Sequence, residues 1–155
     1  MSETPTISVA APDSPRARAA MQAYYGELAE RFETGFDPDV AAPLADDAMC
    51  PPKGVFLIAT RGDDTLGCVG LKGTDYGYAE IKRLWVSPAA RGLGLAKRLM
   101  SEAEVHAKAL GITTLRLDTN SALPEAAGLY QRLGWHEIER FNDDPYPDLF
   151  FEKTV

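Results

Sequence analysis

The chain has 155 residues, enough for one domain with a core of its own and short for two. Its 45% apolar and 25% charged residues are ordinary globular values, so neither a disordered nor a fibrous chain is indicated. With 16 Lys and Arg against 23 Asp and Glu the net charge is −7, which argues against nucleic acid or an anionic membrane as the main partner.

In chain order, residues 6–9 read as a short strand. Ser14 and Pro15 are an N-cap and a first-turn proline. Ala17, Met21, Tyr24, Leu28 and Phe32 follow at helical steps and predict an amphipathic helix. Residues 35–52 are proline-rich and irregular, with a short helix expected over 39–49. Residues 55–60 and 66–71 read as strands of a hairpin turning at Gly62, Asp63 and Asp64. A third strand is expected over 79–86, between Gly77 and Pro88. The longest helix is placed at 92–110, with Leu95, Leu99, Ala103, His106 and Leu110 on one stripe and Gly111 as its stop. Residues 113–118 alternate as a strand, 124–133 form a helix ending before Gly134, and 135–140 and 149–154 close the chain as strands. The order β-α-(α)-β-β-β-α-β-α-β-β predicts a single α/β (α+β) domain over 1–155, with a mixed central sheet and helices on both faces.

Cys50 and Cys68 show no CxxC spacing and no neighbouring His, so neither a metal site nor a disulfide framework is expected. The first ten residues lack the basic and apolar regions of a signal peptide. The longest apolar run, 55–59, is too short to span a bilayer, and the expected location is cytoplasmic.

The chemistry is concentrated after the third strand. There the chain reads AEIKRLWVSPAARGLGLA over residues 79–96 and enters a long helix. A helix N-terminus carries unpaired N–H groups and partial positive charge, and glycines let backbone approach an anion closely. Arg91 adds a charge-assisted donor. The run is not a Walker A loop, because no GK[ST] follows. It is not a dinucleotide fingerprint either, because Lys97 stands where the third glycine belongs.

The spacing V-x-P-x-x-R-G-x-G-x-A resembles the acyl-CoA-binding motif of the GNAT superfamily of N-acetyltransferases. A second block resembles that family's later motif: Leu117, Asp118, Thr119 and Asn120, then Ala126 to Tyr130 and Leu133, Gly134 and Trp135. Ala96 stands where many members have Gly, and Trp135 where Phe is commoner. The resemblance implies a bulged strand ending at Val86 that splays from the strand at 113–118 and opens a V-shaped cleft. Acetyl-CoA would lie there as co-substrate, with no metal. Its pantetheine would bond backbone groups around Leu84, Trp85 and Val86. Its pyrophosphate would sit on the amides of Arg91, Gly92, Leu93, Gly94, Leu95 and Ala96, and Asn120 would contact the pantetheine or cysteamine end. The implied reaction is direct acetyl transfer to a primary amine on a small molecule or a peptide; the alternative is a non-catalytic acyl-CoA-binding module. Dimers are common in that superfamily, and a homodimer is compatible with the sequence.

Acetyl transfer needs a neutral amine, a stabilised oxyanion and a leaving thiolate. A backbone N–H near Trp85 or Val86 suits the oxyanion. Glu80 is the candidate general base: it lies six residues before Val86, and by period two residues 80, 82, 84 and 86 share one face. Tyr130 is the candidate general acid, since a phenol suits donation to a thiolate. Tyr24, Tyr25 and Phe32 are read as helix packing that can also flank the acceptor side. The tail at residues 142–153, N-D-D-P-Y and then F-E-K, resembles the end of small GNAT proteins and of GNAT domains fused to MarR-type regulators, and its loop would reach the acceptor. The charge is uneven: residues 1–77 carry 6 basic and 12 acidic groups, residues 78–155 carry 10 and 11. Seven acids in 27–47 against Arg31 suggest a field that favours a cationic acceptor.

Overall fold

The computed structural model describes residues 4–31, 48–121 and 124–155. The elements are β1 (Thr6–Val9), α1 (Pro15–Arg31), β2 (Val55–Arg61), β3 (Asp64–Gly73), β4 (Ala79–Val86), α2 (Leu95–Ala109), β5 (Thr114–Thr119), α3 (Pro124–Arg132), β6 (His136–Ile138) and β7 (Leu149–Thr154). The helix expected at 39–49 falls largely outside the described residues. The other elements appear in the expected order.

The strands form one seven-stranded sheet in the order β1-β2-β3-β4-β5-β7-β6. Every described pair is antiparallel except β4 with β5, the crossover through α2. Helices cover both faces. On one side α2 and α3 pack Leu95, Leu99, Met100, Ala103 and Tyr130 against Val69, Leu71, Ile81, Leu115 and Leu117. On the other, α1 packs Ala17 and Ala20 against Phe56, Ile58 and Cys68. Strand β2 is therefore buried on both faces, which is why 55–59 reads as an unbroken apolar run. The Ser14 hydroxyl caps α1 by accepting the Ala17 N–H at 3.3 Å.

Two differences from the expected layout shape the site. The long helix begins at Leu95 rather than at residue 92. Gly92 and Gly94 have φ of +82° and +74°, so they turn the chain into the helix instead of belonging to it. Its buried stripe includes Met100 and Ala107, while His106 is half-buried.

The second difference is a bulge in β4. Gly70 pairs with Lys82 but Cys68 pairs with Trp85, so Arg83 and Leu84 oppose the single residue Val69. Arg83 takes φ of +58°, a left-handed conformation that costs a side-chain-bearing residue roughly 1–2 kcal/mol. The extra residue inverts the alternation of the strand. Ile81, Leu84 and Val86 pack with the α2 side, and Trp85 with the α1 side. Glu80 and Lys82 thus do not share a face with Leu84 and Val86, contrary to the period-two reading.

A candidate acyl-transfer cleft between β4 and β5

Strands β4 and β5 pair only at Ala79–Leu115, Glu80–Arg116 and Ile81–Leu117. Beyond Ile81 the bulge turns β4 away, leaving the β5-facing edge of its second half without a strand partner. A two-armed cleft fills the gap. The larger arm is a cavity of about 390 Å³ running from Leu84, Trp85 and Val86 along the loop at 90–94 to the start of α2, closed by Ala126 and Leu129 of α3. The smaller, about 90 Å³, lies between Tyr24, Lys82, Arg83, Asp118, Tyr130 and the loop carrying Asp144 and Tyr146. The arms share Tyr24, Leu28, Leu84 and Ala126 as walls.

The larger arm fits a long ligand ending in phosphates. A 3-10 turn at Pro88–Ala90 leads into the loop, and the Arg91 amide closes that turn on the Pro88 carbonyl at 3.4 Å. The Arg91 amide is therefore engaged, and the cradle begins one residue later than expected. Among the described residues the amides of Gly92, Leu93 and Gly94 donate to no backbone carbonyl. Those of Leu95, Ala96 and Lys97 are the unpaired first turn of α2, whose first internal bond is Arg98 N–H to the Gly94 carbonyl. Gly94 as N-cap brings no side chain to compete for them. A Cβ at Gly92 or Gly94 would meet nothing within 4 Å, so open space lies over both. These features together suit an anion. Leu93 is 63% exposed and does not line the arm. The Arg91 side chain does line it: Nε–H donates to the Val86 carbonyl at 3.1 Å, and Nη2 is ion-paired with Glu27 of α1. Arg31 joins Glu27 to Glu125 of α3, so an ionic chain crosses the mouth of this arm. Glu27 is thereby committed to the larger arm rather than to the acceptor side, and residues 33–47 of the acidic stretch lie outside the described residues.

The smaller arm holds the reactive side chains. Lys82 Nζ sits 3.1 Å from Glu80 Oε2 and 3.3 Å from Asp118 Oδ2, with all three side chains nearly buried. Burial alone would lower the Lys82 pKa, but Asp118 and Glu80 overcome it and raise it, so the amine is an ammonium. Lys82 and Asp118 line the cavity; Glu80 stands behind them, committed to the ammonium. Asp118 Oδ2 also accepts from Asn142 Nδ2 at 2.7 Å, and Oδ1 has no partner among the described residues. Tyr130 is buried against Trp135 and Phe151 and lines the same cavity. Burial, Tyr24 and Asp118 together push its phenol well above the ordinary range. Burial does the same to Tyr24, with Arg83 opposing and Asp118 adding. Asn120 also lies in this arm rather than along the larger one, its Nδ2 donating to the Tyr146 carbonyl.

Sequence reasoning named Glu80 and Tyr130 for the chemistry, gave Asn120 to the cofactor and Tyr24 to packing that can flank the acceptor side, and passed over Lys82, Arg83 and Asp118 as site residues. Asp118 stood inside a motif block already singled out, on the polar side of a strand whose Leu115 and Leu117 are buried. That alternation was the available signal. The tail loop lines the smaller arm through Asp144, Tyr146 and Pro147.

The family model described as Acetyltransferase (GNAT) family matches residues 19–135, three quarters of the chain and all of the cleft but the loop carrying Asp144, Tyr146 and Pro147. This chain belongs to the GNAT acetyltransferase family. As such it is an acyltransferase. It is 32% identical, over 97% of its own length and 99% of the relative's, to a protein of Azospirillum brasilense named IAA acetyltransferase. Its fold matches a GNAT-family acetyltransferase of Staphylococcus aureus with a TM-score of 0.81 at 18% identity, covering 97% and 99% of the two chains. It also matches the PaiA N-acetyltransferase of Thermoplasma acidophilum, crystallised with coenzyme A, with a TM-score of 0.56 at 26% identity over 64% and 60% of the chains. Among the described residues no helix is long and apolar enough to cross a membrane.

Proposed function

We propose that the protein moves the acetyl group of acetyl-CoA to a primary amine by direct attack, with Tyr130 as general acid and Asp118, held by Lys82 and Glu80, as the group that takes the amine proton. The observation that carries this reading is the meeting of the two arms at Tyr24, Leu28, Leu84 and Ala126. An anion cradle fills one arm, and ionisable groups fill the other. In the larger arm the amides of Gly92, Leu93, Gly94, Leu95 and Ala96 would hold the pyrophosphate, with Arg91 as an added charge. The edge at Leu84, Trp85 and Val86 would hold the pantetheine and offer an N–H to the oxyanion.

In the smaller arm Asp118 lines the cavity and would receive the amine. Lys82 bridges Asp118 to Glu80, and its ammonium would keep Asp118 ionised and placed to take the amine proton. Glu80 would stand behind Lys82 as a positioning residue rather than meet the amine. Tyr130 is kept protonated across neutral pH by burial, which also makes it a weaker acid than a free phenol, so it would hydrogen-bond the sulfur and give up its proton only as the thiolate departs.

The test is thiol release from acetyl-CoA against an amine panel. Tyr130→Phe is expected to lower kcat by about 10²-fold or more while acetyl-CoA affinity holds. An unchanged rate removes Tyr130 from the mechanism.

A further inference from the structure

Arg83 is the one described residue other than glycine with positive φ, and the bulge that imposes it turns its side chain out of the regular ladder. The side chain lines the smaller arm and lies across α1, its guanidinium carbon 5.4 Å from the Tyr25 ring centre and Nε–H donating to the Tyr25 hydroxyl at 2.7 Å. This pins the base of the fork. Among the described residues no carboxylate pairs with Arg83, and neither Nη group has a partner. Every other Arg or Lys described above as lining this arm is already neutralised: Lys82 has two carboxylates within 3.3 Å. The cavity therefore joins an oriented, half-buried guanidinium to an unpaired oxygen, Asp118 Oδ1.

A half-buried guanidinium whose two Nη groups have no protein partner is completed best by an anion. A planar fork with two free edges suits a carboxylate, which accepts two parallel N–H bonds. Resting on the acetyltransfer reading above, we infer that the acceptor is an amino acid-type molecule, its ammonium taken by Asp118 and its carboxylate by Arg83. Tyr24, Tyr25 and Tyr146 give the rest of that molecule aromatic surface to lie on. Arg83 is in this account a specificity-determining residue and takes no part in proton transfer.

The test compares matched acceptors: free L-amino acids, their C-terminal amides and the corresponding decarboxylated amines. Each is measured for kcat/KM with acetyl-CoA and, separately, for direct binding by calorimetry. The free acid is expected to exceed its amide by about tenfold or more in both readouts, the scale of one hydrogen-bonded charge pair. Arg83→Gln is expected to abolish that preference by weakening the free acid alone, with acetyl-CoA affinity held. Arg83→Lys is expected to restore part of it. Amides and plain amines bound as well as the acids, or Arg83→Gln weakening all three equally, overturns the inference. The binding arm reads the carboxylate preference even if no acceptor is acetylated, an outcome that would overturn the proposed reaction instead.

Discussion

Replacing Lys82 by methionine isolates the electrostatics at the centre of the cleft. Lys82 is 8% exposed, and its Nζ stands between Glu80 and Asp118 at 3.1 and 3.3 Å. Methionine keeps most of the volume, so the perturbation is chiefly the loss of one charge. Two nearly buried carboxylates are left facing each other with no cation between them. Breaking such a pair by removing one partner costs roughly 3–5 kcal/mol, far above the ~1 kcal/mol of an exposed pair. At about 2–4 °C per kcal/mol for a chain of this size, the melting temperature should fall by roughly 6–20 °C at pH 7. The loss should depend on pH. Two nearly buried carboxylates that have lost the cation between them disfavour double ionisation, so the folded variant holds a proton that the unfolded chain releases. The folded state then binds more protons than the unfolded one, and the deficit narrows as pH falls from 7 to 5. Thermal melts across that range read both effects. Adding Glu80→Gln and Asp118→Asn to the variant should return most of the stability. A loss below about 1 kcal/mol, unchanged with pH, would show that the triad behaves as an exposed pair and would refute the reasoning.

Two further outcomes follow from charges elsewhere. Glu27 holds Arg91, so Glu27→Gln should free that guanidinium for the phosphates and tighten acetyl-CoA binding by about fivefold at low salt, read by calorimetry and fading as salt rises. Cys68, Lys82, Tyr24 and Tyr130 all have raised pKa values, Cys68 from 9.0 to about 12 through burial. Each contributes stability that is fully present below its unfolded value and lost as pH rises toward the folded one. Stability should therefore fall from about pH 9 upward, by about 1.4 kcal/mol per pH unit for each group titrating. Between pH 9 and 10 Cys68 titrates before the tyrosines, so Cys68→Ala should flatten the melting temperature there; equal slopes in the two proteins would contradict the assignment.

Much of the fold was legible because its signals are local. Ser14 with Pro15 marked the start of α1, and the alternation of Leu115 and Leu117 marked β5 within a residue of its bounds. The glycines around residue 92 pointed to a turn, but helical periodicity drew the helix start three residues early. Sequence spacing cannot tell a glycine that begins a helix from one at positive φ that leads into it.

The cofactor arm was legible because consecutive residues build it. The acceptor arm was not, because it is built from α1, β4, β5 and the tail loop, and because a bulge at Arg83 inverted the strand alternation used to place Glu80. The strand sequence at 82–84 carries no glycine or proline to signal that bulge. Asp118 and Lys82 come together through the parallel pairing of β4 with β5, a contact 36 residues apart in sequence. Tyr130 could be placed because a motif named it; its proximity to Tyr24 could not.

The most direct measurement is acetyl transfer itself: purified protein, acetyl-CoA and a panel of amino acids and simple amines, with free thiol and acetylated product quantified together. The account predicts thiol release that depends on the amine, matched one for one by an N-acetylated product. Tight acetyl-CoA binding with no amine-dependent thiol release from any acceptor would contradict it, and would leave the cleft as a binding site alone.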